Sequence, residues 1–152
     1  MPAESVAQLQ ARSVERRYRT LVWGHPESPR GVVDAPIGRS PRHPTRMAVT
    51  TDGKPARTRY EVVERFEEPT PTALVACRLE TGRTHQIRVH LHAIGHPVVG
   101  DDRYDGIRQS LPCPRPFLHA ERLSFDHPAT GERLTFDSDL PADLTELLAS
   151  LT

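Results

Sequence analysis

The stretch ETGRTHQIRVHLHAIG, residues 80–95, decides the fold because the sequence pattern changes there from strand-like to helical. Thr84 is of a type that caps a helix start. Apolar side chains then recur at the helical spacing i, i+4 and i+7, at Ile87, Leu91 and Ile94. The glycine and proline that follow end the pattern. The stretch therefore predicts a short amphipathic helix that carries Arg88 on another side from its apolar stripe.

The segments on both sides of this helix have the alternation or the apolar runs of β-strands. The predicted strands are residues 14–23, 31–37, 47–50, 58–66, 72–79, 117–125 and 132–136. The turn Asp52-Gly53 is expected to join residues 47–50 to 58–66, and residues 127–131 to close a hairpin. Helices are predicted at residues 3–11 and 140–151. The pattern favours an α+β fold, a mainly antiparallel mixed sheet with flanking helices, in one domain of residues 1–152.

The charge is balanced overall but unevenly distributed along the chain. Residues 1–90 contain 15 Lys and Arg against 10 Asp and Glu, whereas residues 91–152 contain 5 against 10. Nearly all of the basic residues are arginines, which suit bidentate contacts with phosphates. A codon bias toward arginine explains the same composition. Composition therefore leaves an RNA-binding surface and an ordinary solvated surface as equal alternatives.

Cysteine count and hydropathy restrict the class of protein. No run of about 18 apolar residues occurs, which argues against a membrane-spanning helix, and no signal peptide is recognised at the N-terminus. Two cysteines, Cys77 and Cys113, are too few for a disulfide framework. We therefore expect a cytoplasmic protein in a reducing compartment.

Two clusters of polar residues could indicate other chemistry. Four histidines fall within residues 85–96, at His85, His90, His92 and His96. On the predicted helix only His92 and His96 have ligand spacing, and no cysteine or acid joins them, so no metal site is predicted. Asp101 and Asp102 are adjacent, so their side chains point apart. A loop-bracing or capping role is favoured over paired acid–base catalysis.

Four motifs resemble, in order along the chain, those of the RluA-type pseudouridine synthases. The longest is LETGRTHQIRVHL at residues 79–91, which runs on into GHPVVGD at residues 95–101 and then Tyr104. VERRYRTLV at residues 14–22 is similar to the tyrosine-bearing motif of that family, and FLHA at residues 117–120 resembles its C-terminal signature. The chain thus resembles an incomplete pseudouridine synthase catalytic domain.

The resemblance implies isomerisation of uridine to pseudouridine in structured RNA, ribosomal or transfer RNA, on a base flipped out of its stack. It implies no metal and no organic cofactor. Tyr18 would lie against the flipped base. Arg88 would pair with the catalytic aspartate and keep it ionised, since an opposite charge favours a carboxylate by ~1–3 pKa units. The residues expected to contact RNA are Arg16, Arg42, Arg57, Arg83 and His85.

The aspartate of the family lies in an HRLDxxTSG segment well upstream of the tyrosine motif. Here 17 residues precede Tyr18, and the acids among them are Glu4 and Glu15, neither of which follows His-Arg-Leu. We therefore expect this chain to lack the catalytic aspartate and to make no pseudouridine alone. Arg88 is accordingly expected to be an unpaired cation.

Three classes of function stay open at this point. The chain is part of a synthase, a catalytically inactive RNA-binding remnant, or a metal-binding or interaction module unrelated to RNA. The first two share one RNA-binding surface and differ only in the aspartate. Without upstream strands one edge of the sheet is left open, so self-association through that edge is also expected.

Overall fold

The structure, a computed structural model, describes residues 14–152. The helix predicted at residues 3–11 lies outside the described residues. In chain order the elements are β1 (Glu15–Trp23), β2 (Arg30–Asp34), β3 (Ile37–Arg39), β4 (Met47–Val49), β5 (Arg57–Phe66), β6 (Thr72–Leu79), α1 (Gln86–Ala93), β7 (Leu118–Asp126), β8 (Arg133–Asp137) and α2 (Ala142–Ala149). Neither helix is long and apolar enough to cross a lipid bilayer, a finding that covers residues 14–152 only.

Six of the strands form one antiparallel sheet. Their order is β2-β5-β6-β1-β7-β8, so β2 and β8 are the two edges. Strands β3 and β4 pair with each other in a separate two-stranded sheet. The predicted α+β fold, with a mainly antiparallel sheet and flanking helices, is confirmed, and so is the hairpin of β7 and β8 around residues 127–131.

The turn at Asp52 and Gly53 does not join two paired strands, so that prediction was wrong. Strand β4 pairs with β3, whereas β5 pairs with β2 and β6. Gly53 lies so close to the main chain of Ile37 that a β-carbon there would collide with it. Lys54 and Ile37 exchange backbone hydrogen bonds of 2.9 Å. Alternation of side chains identifies a strand but not its partner, because pairing depends on contacts distant in sequence.

Alternation along β1 divides the core into two layers on opposite faces of the sheet. Leu21 and Trp23 belong to a cluster that includes Leu144 of α2. Val22, which points the other way, belongs to a cluster that includes Leu91 of α1. Helices α1 and α2 therefore cover opposite faces, and the motif-bearing α1 shares a face with the even-numbered residues of β1.

Helix α1 differs in detail from the sequence expectation. Its N-cap is His85, in a left-handed conformation with φ 55°, and no side chain caps the helix, so Thr84 is not the cap. Ile94 is 37% exposed and does not complete the apolar stripe. Val89, outside the predicted stripe, is 2% exposed because it packs with Tyr104 against the small sheet. Helix α1 is therefore held by apolar contacts on two of its sides, one packed on the main sheet and one on the small sheet.

Candidate active site

Arg88 has a partner, contrary to the expectation of an unpaired cation. Its Nε donates to Asp101 Oδ2 at 2.8 Å, and its Nη2 donates to Asp101 Oδ1 at 2.7 Å. The Asp101 side chain is fully buried, and that of Arg88 is 16% exposed. The expectation failed because the loop after α1 folds back and brings a carboxylate to the helix. Paired, bidentate hydrogen bonds of this kind are strong and directional.

The carboxylate of Asp101 is fixed by the loop that carries it. Its Oδ1 also accepts the backbone N–H groups of Arg103, at 3.0 Å, and Tyr104, at 3.2 Å. The loop is closed by backbone hydrogen bonds of 2.8 Å from Gly106 to Asp101 and from Gly100 to Gly106. The loop-bracing role predicted for Asp101 is confirmed, and the ion pair with Arg88 is an addition to it.

The two partners hold each other in the charged state. Burial raises the pKa of Asp101, but hydrogen bonds from Arg88 and from the N–H groups of Arg103 and Tyr104 outweigh it, so the pKa lies below its usual value. The pKa of Arg88 is raised, first by its hydrogen bond to Asp101. At neutral pH the pair is therefore a carboxylate and a guanidinium.

Tyr104 links this pair to the start of α1. Its side chain is 1% exposed, and its hydroxyl accepts the N–H of Met47 at 3.1 Å and lies 2.7 Å from His85 Nδ1. The guanidinium carbons of Arg88 and Arg46 each lie 5.2 Å from the centre of the Tyr104 ring. Such distances permit cation–π attraction, which adds a further restraint on Arg88.

His85 sits at the helix start as a neutral imidazole. Burial lowers its pKa below the usual value, and the positive charges of Arg88 and Arg103 lower it further. In a neutral ring one nitrogen accepts a hydrogen bond and the other carries the proton. Nδ1 can therefore accept a hydrogen bond from the Tyr104 hydroxyl, with the ring proton on Nε2. His85 therefore offers a polar, uncharged edge beside Arg88.

Gln86 anchors the start of α1 to the main sheet. Its Oε1 accepts from the Thr81 hydroxyl at 2.7 Å and from the Arg83 N–H at 3.0 Å. Its Nε2 donates to the Arg57 carbonyl and to the Thr58 hydroxyl, each at 2.9 Å. All four polar positions of a 2% exposed amide are used. This anchor was missed at the sequence level, although Gln86 lies inside the longest motif.

His90 extends the same buried network. Its Nε2 donates to the Ala35 carbonyl at 2.9 Å, so Nδ1 accepts from the Thr58 hydroxyl at 2.8 Å. The side chain is fully buried, and burial lowers its pKa. Protonation of Nδ1 would set its N–H against the Thr58 hydroxyl, which already donates to it, so the hydrogen bond between them would be lost.

The free energy of unfolding is therefore expected to fall as the pH is lowered through about 6.5, the ordinary pKa of histidine. The pKa of His90 is lower in the folded protein than in the unfolded chain. The unfolded state therefore binds more protons in this pH range, and a lower pH stabilises it relative to the folded state. The slope is at most ~1.4 kcal/mol per pH unit for one such group. Urea unfolding of His90→Gln between pH 5 and 8 should show a shallower pH dependence, whereas His43→Gln, in an exposed loop, should match the wild type.

Tyr18 lies on the same face of the sheet as α1. It stands opposite Cys77 of β6 and Ala120 of β7, and it packs on the cluster that contains Leu91 of α1. The two residues to which the resemblance assigns chemistry, Tyr18 and Arg88, are therefore carried by elements of one face. Contact of Tyr18 with a flipped base stays a prediction.

The residues expected to bind RNA have different surroundings. Arg83 is half-buried near the helix start and donates from Nε to the Pro55 carbonyl at 2.7 Å. Arg16 lies against Gly82, where a β-carbon would overlap its Nη1. Arg57 Nε is 3.4 Å from Glu80, so its charge is partly compensated. Arg42 is exposed in the loop between β3 and β4. The structure thus brings Arg16 to Gly82, next to Arg83 in the segment before α1, and His85 close to Arg88, and it leaves Arg42 on a separate loop.

A basic cavity borders this group. It measures about 410 Å³ and lies between the β3–β4 hairpin and residues 82–84. Arg39, Lys54 and Arg83 line it, against one acid, Asp52. The sequence did not predict that Arg39 and Lys54 lie beside Arg83, because only the folded hairpin brings them together.

The clustered histidines have separate partners. Their hydrogen bonds run from His85 to Tyr104, from His90 to Thr58 and Ala35, from His92 to Asp105 and from His96 to the Trp23 carbonyl. Within residues 14–152, no group of three or more His, Cys, Asp or Glu side chains is arranged to hold a metal ion.

Comparison with known proteins agrees with this arrangement. The family described as RNA pseudouridylate synthase matches residues 3–93. Ribosomal large subunit pseudouridine synthase D of Nitrosomonas europaea is 50% identical over 151 residues, which cover 95% of this chain and 43% of that protein. The corresponding protein of Pseudomonas aeruginosa is 48% identical, with 96% and 48% covered. The chain thus spans about half the length of these curated relatives.

Solved structures give the same result for the fold. Human RNA Pseudouridylate Synthase Domain Containing 1 superposes with a TM-score of 0.81 at 30% identity, over 98% of this chain and 63% of that one. Human RNA Pseudouridylate Synthase Domain Containing 4, at 23% identity and a TM-score of 0.72, shares the fold over 95% of this chain and 64% of its own. The chain therefore belongs to the RNA pseudouridylate synthase family, and within it to the RluA type.

Proposed function

We propose that the protein of which this chain forms part isomerises uridine to pseudouridine in RNA, with large-subunit ribosomal RNA as its substrate. The observation that carries the proposal is Arg88, held side-on by a buried carboxylate on the face that also carries Tyr18. Relatives named for the ribosomal large subunit support the choice of RNA. Transfer RNA is the second candidate substrate, and the cytoplasm is the proposed location.

The residues of this chain would bind and orient the target nucleotide. Tyr18 would lie against the flipped base, and the aromatic ring favours a stacked or edge contact. Arg88 would donate hydrogen bonds to the carboxylate that acts at the glycosidic bond, which would hold it in place and favour its ionised form. Arg83, with Arg39 and Lys54 across the cavity, would contact phosphates of the flanking nucleotides. No step calls for a metal or an organic cofactor.

We propose that the acting aspartate comes from outside residues 14–152. Asp101 does not fit that role, because its side chain is fully buried and its oxygens already accept four hydrogen bonds. Asp102 and Asp105 are exposed, and neither forms the hydrogen bonds to Arg88 that Asp101 forms; Asp105 bonds to His92 instead. The alternative is a catalytically inactive RNA-binding remnant, which would bind RNA through the same surface.

Deletion of the gene in its own organism tests the function directly. Pseudouridine would be mapped by chemical labelling in large-subunit ribosomal RNA and in transfer RNA, with and without the gene. Loss of one or a few pseudouridines from ribosomal RNA is the expected result, and loss from transfer RNA would redirect the substrate. Unchanged maps of both RNAs would leave the inactive remnant as the better proposal.

RNA binding by this chain is expected to depend strongly on salt. Each phosphate that is neutralised adds about −0.7 to −0.9 to the slope of log K against log salt. The exposed Arg42 should supply one such contact, so Arg42→Glu is expected to weaken binding and to flatten the slope by about that amount. Arg133→Glu is the matched control, because Arg133 pairs with Asp126 on the β7–β8 hairpin. Binding that does not change between low and moderate salt would contradict the proposed surface.

Self-association is expected through an open sheet edge. Strand β8 is an edge, its Phe136 is 57% exposed, and Leu123, opposite Phe136 on β7, is 41% exposed. An apolar, unpaired edge favours pairing with a second chain. Sedimentation should therefore show a concentration-dependent dimer that Phe136→Lys reduces. A wild-type monomer at every concentration tested would rule this association out.

A further inference from the structure

We infer that Asp101 is a positioning residue that reserves Arg88 for a second carboxylate and prevents it from acting as a ligand of RNA phosphates. The inference deepens the proposed function and rests on it. The family resemblance gives Arg88 one partner, the catalytic aspartate. The inference adds Asp101 as a second partner, which sets the charge and the orientation of Arg88.

Asp101 and Tyr104 fix the orientation of the Arg88 guanidinium. The pair of Nε and Nη2 on one edge of the Arg88 guanidinium is taken by the two oxygens of Asp101. Nη1 makes no hydrogen bond to any residue that the structure describes. The planar group therefore presents its other edge, Nη1 with the second proton of Nη2, as a donor fork that fits a carboxylate. The Tyr104 ring on its face, at 5.2 Å, opposes rotation away from this position.

Asp101 also compensates the charge of Arg88, at a distance of 2.7 Å. The other charges near the pair are Asp102 and Arg103 on the same loop and Arg46, which lies 3.7 Å from Asp105. His92 also bonds to Asp105, at 2.9 Å. The positive groups around the pair are thus largely balanced by acids, and the Arg88–Asp101 pair as a whole has little net charge to attract a phosphate from water.

The two anions differ in how they reach Arg88. A phosphate of bound RNA must be drawn out of water, and its binding depends on uncompensated positive charge. A carboxylate of the same folded protein is delivered by the chain, so its orientation costs little at the moment of binding. A neutralised, 16% exposed Arg88 therefore selects the tethered carboxylate.

Inorganic phosphate tests this selection without RNA. The Arg88 Nε–H signal would be followed by nitrogen–proton NMR while phosphate is added to the whole chain. The wild type is expected to show no phosphate-dependent shift at Arg88. Asp101→Asn keeps an oxygen for the N–H groups of Arg103 and Tyr104 but no longer accepts both hydrogen bonds from Arg88, and it should show a saturable shift. Asp137→Asn, which removes the acid of an exposed pair with Arg122 on the β7–β8 hairpin, should behave as the wild type.

The salt dependence of RNA binding is an independent measurement, because a loss of stability would not produce tighter binding or a steeper slope. Arg88→Gln should leave the salt slope unchanged, whereas Asp101→Asn should bind more tightly at low salt and add about 0.7 to 0.9 to the slope. The double variant, which removes both charges, should return to the wild-type slope.

The outcomes are separable. A phosphate shift at Arg88 in the wild type, or a salt slope reduced by Arg88→Gln, would overturn the inference. A chain that binds no RNA would overturn the proposed function, and the phosphate titration would still decide the role of Asp101.

Discussion

Purified alone, the 152-residue chain is expected to leave the uridines of ribosomal RNA unmodified. Attack at the glycosidic bond or the ribose needs a carboxylate that is placed against the nucleotide, and placement supplies much of the rate. The carboxylate that meets Arg88 is Asp101, which is fully buried. It has no path to a ribose without breaking the ion pair and the loop that it braces.

The measurement is a mass-spectrometric or tritium-release assay on unmodified ribosomal RNA. The synthase D protein of Pseudomonas aeruginosa, 48% identical to this chain, is the positive control on the same RNA. Circular dichroism would establish that the chain is folded under the assay conditions. Turnover by the chain would place the nucleophile within it, and Asp102→Asn and Asp105→Asn would then locate it.

Much of the fold could be predicted because it follows from local patterns. Alternation identified β1 and β6 to within a residue at each end. The same period of two placed Tyr18 and Val22 on one face, and the structure puts α1 over that face. The apolar spacing of Ile87 and Leu91 predicted which side of α1 packs on the sheet.

The rest of the candidate site depends on contacts between distant parts of the chain. Arg88 and Asp101 are 13 positions apart and meet only because the loop from Gly100 to Gly106 closes on itself. Gln86 contacts the backbone of Arg57, 29 positions away. Neither contact leaves a periodic signal, so spacing rules could not find it. The motif was enough to locate the site, but the charge pairing within the site could be seen only in the folded structure.

The largest expected loss of stability from a single change at this site is that of Asp101→Ala. The substitution removes a fully buried carboxylate and leaves the Arg88 guanidinium, 16% exposed, without its partner. Breaking a buried pair from one side costs about 3–5 kcal/mol, because the remaining charge stays desolvated. Two backbone N–H groups, those of Arg103 and Tyr104, also lose their acceptor.

Against a typical total stability of about 5–15 kcal/mol, such a loss is large. For a chain of this size, we expect the melting temperature to fall by roughly 10 °C or more. Asp105→Asn is the control on the same loop, because asparagine also tolerates its φ of 60°. The Asp105 side chain is 68% exposed, and exposed ion pairs contribute about 0–1 kcal/mol. Urea unfolding of the three proteins at pH 7 makes the comparison. Equal losses for Asp101→Ala and Asp105→Asn would mean that Arg88 finds water or another partner once Asp101 is gone, and that the buried pair does not hold the loop against α1.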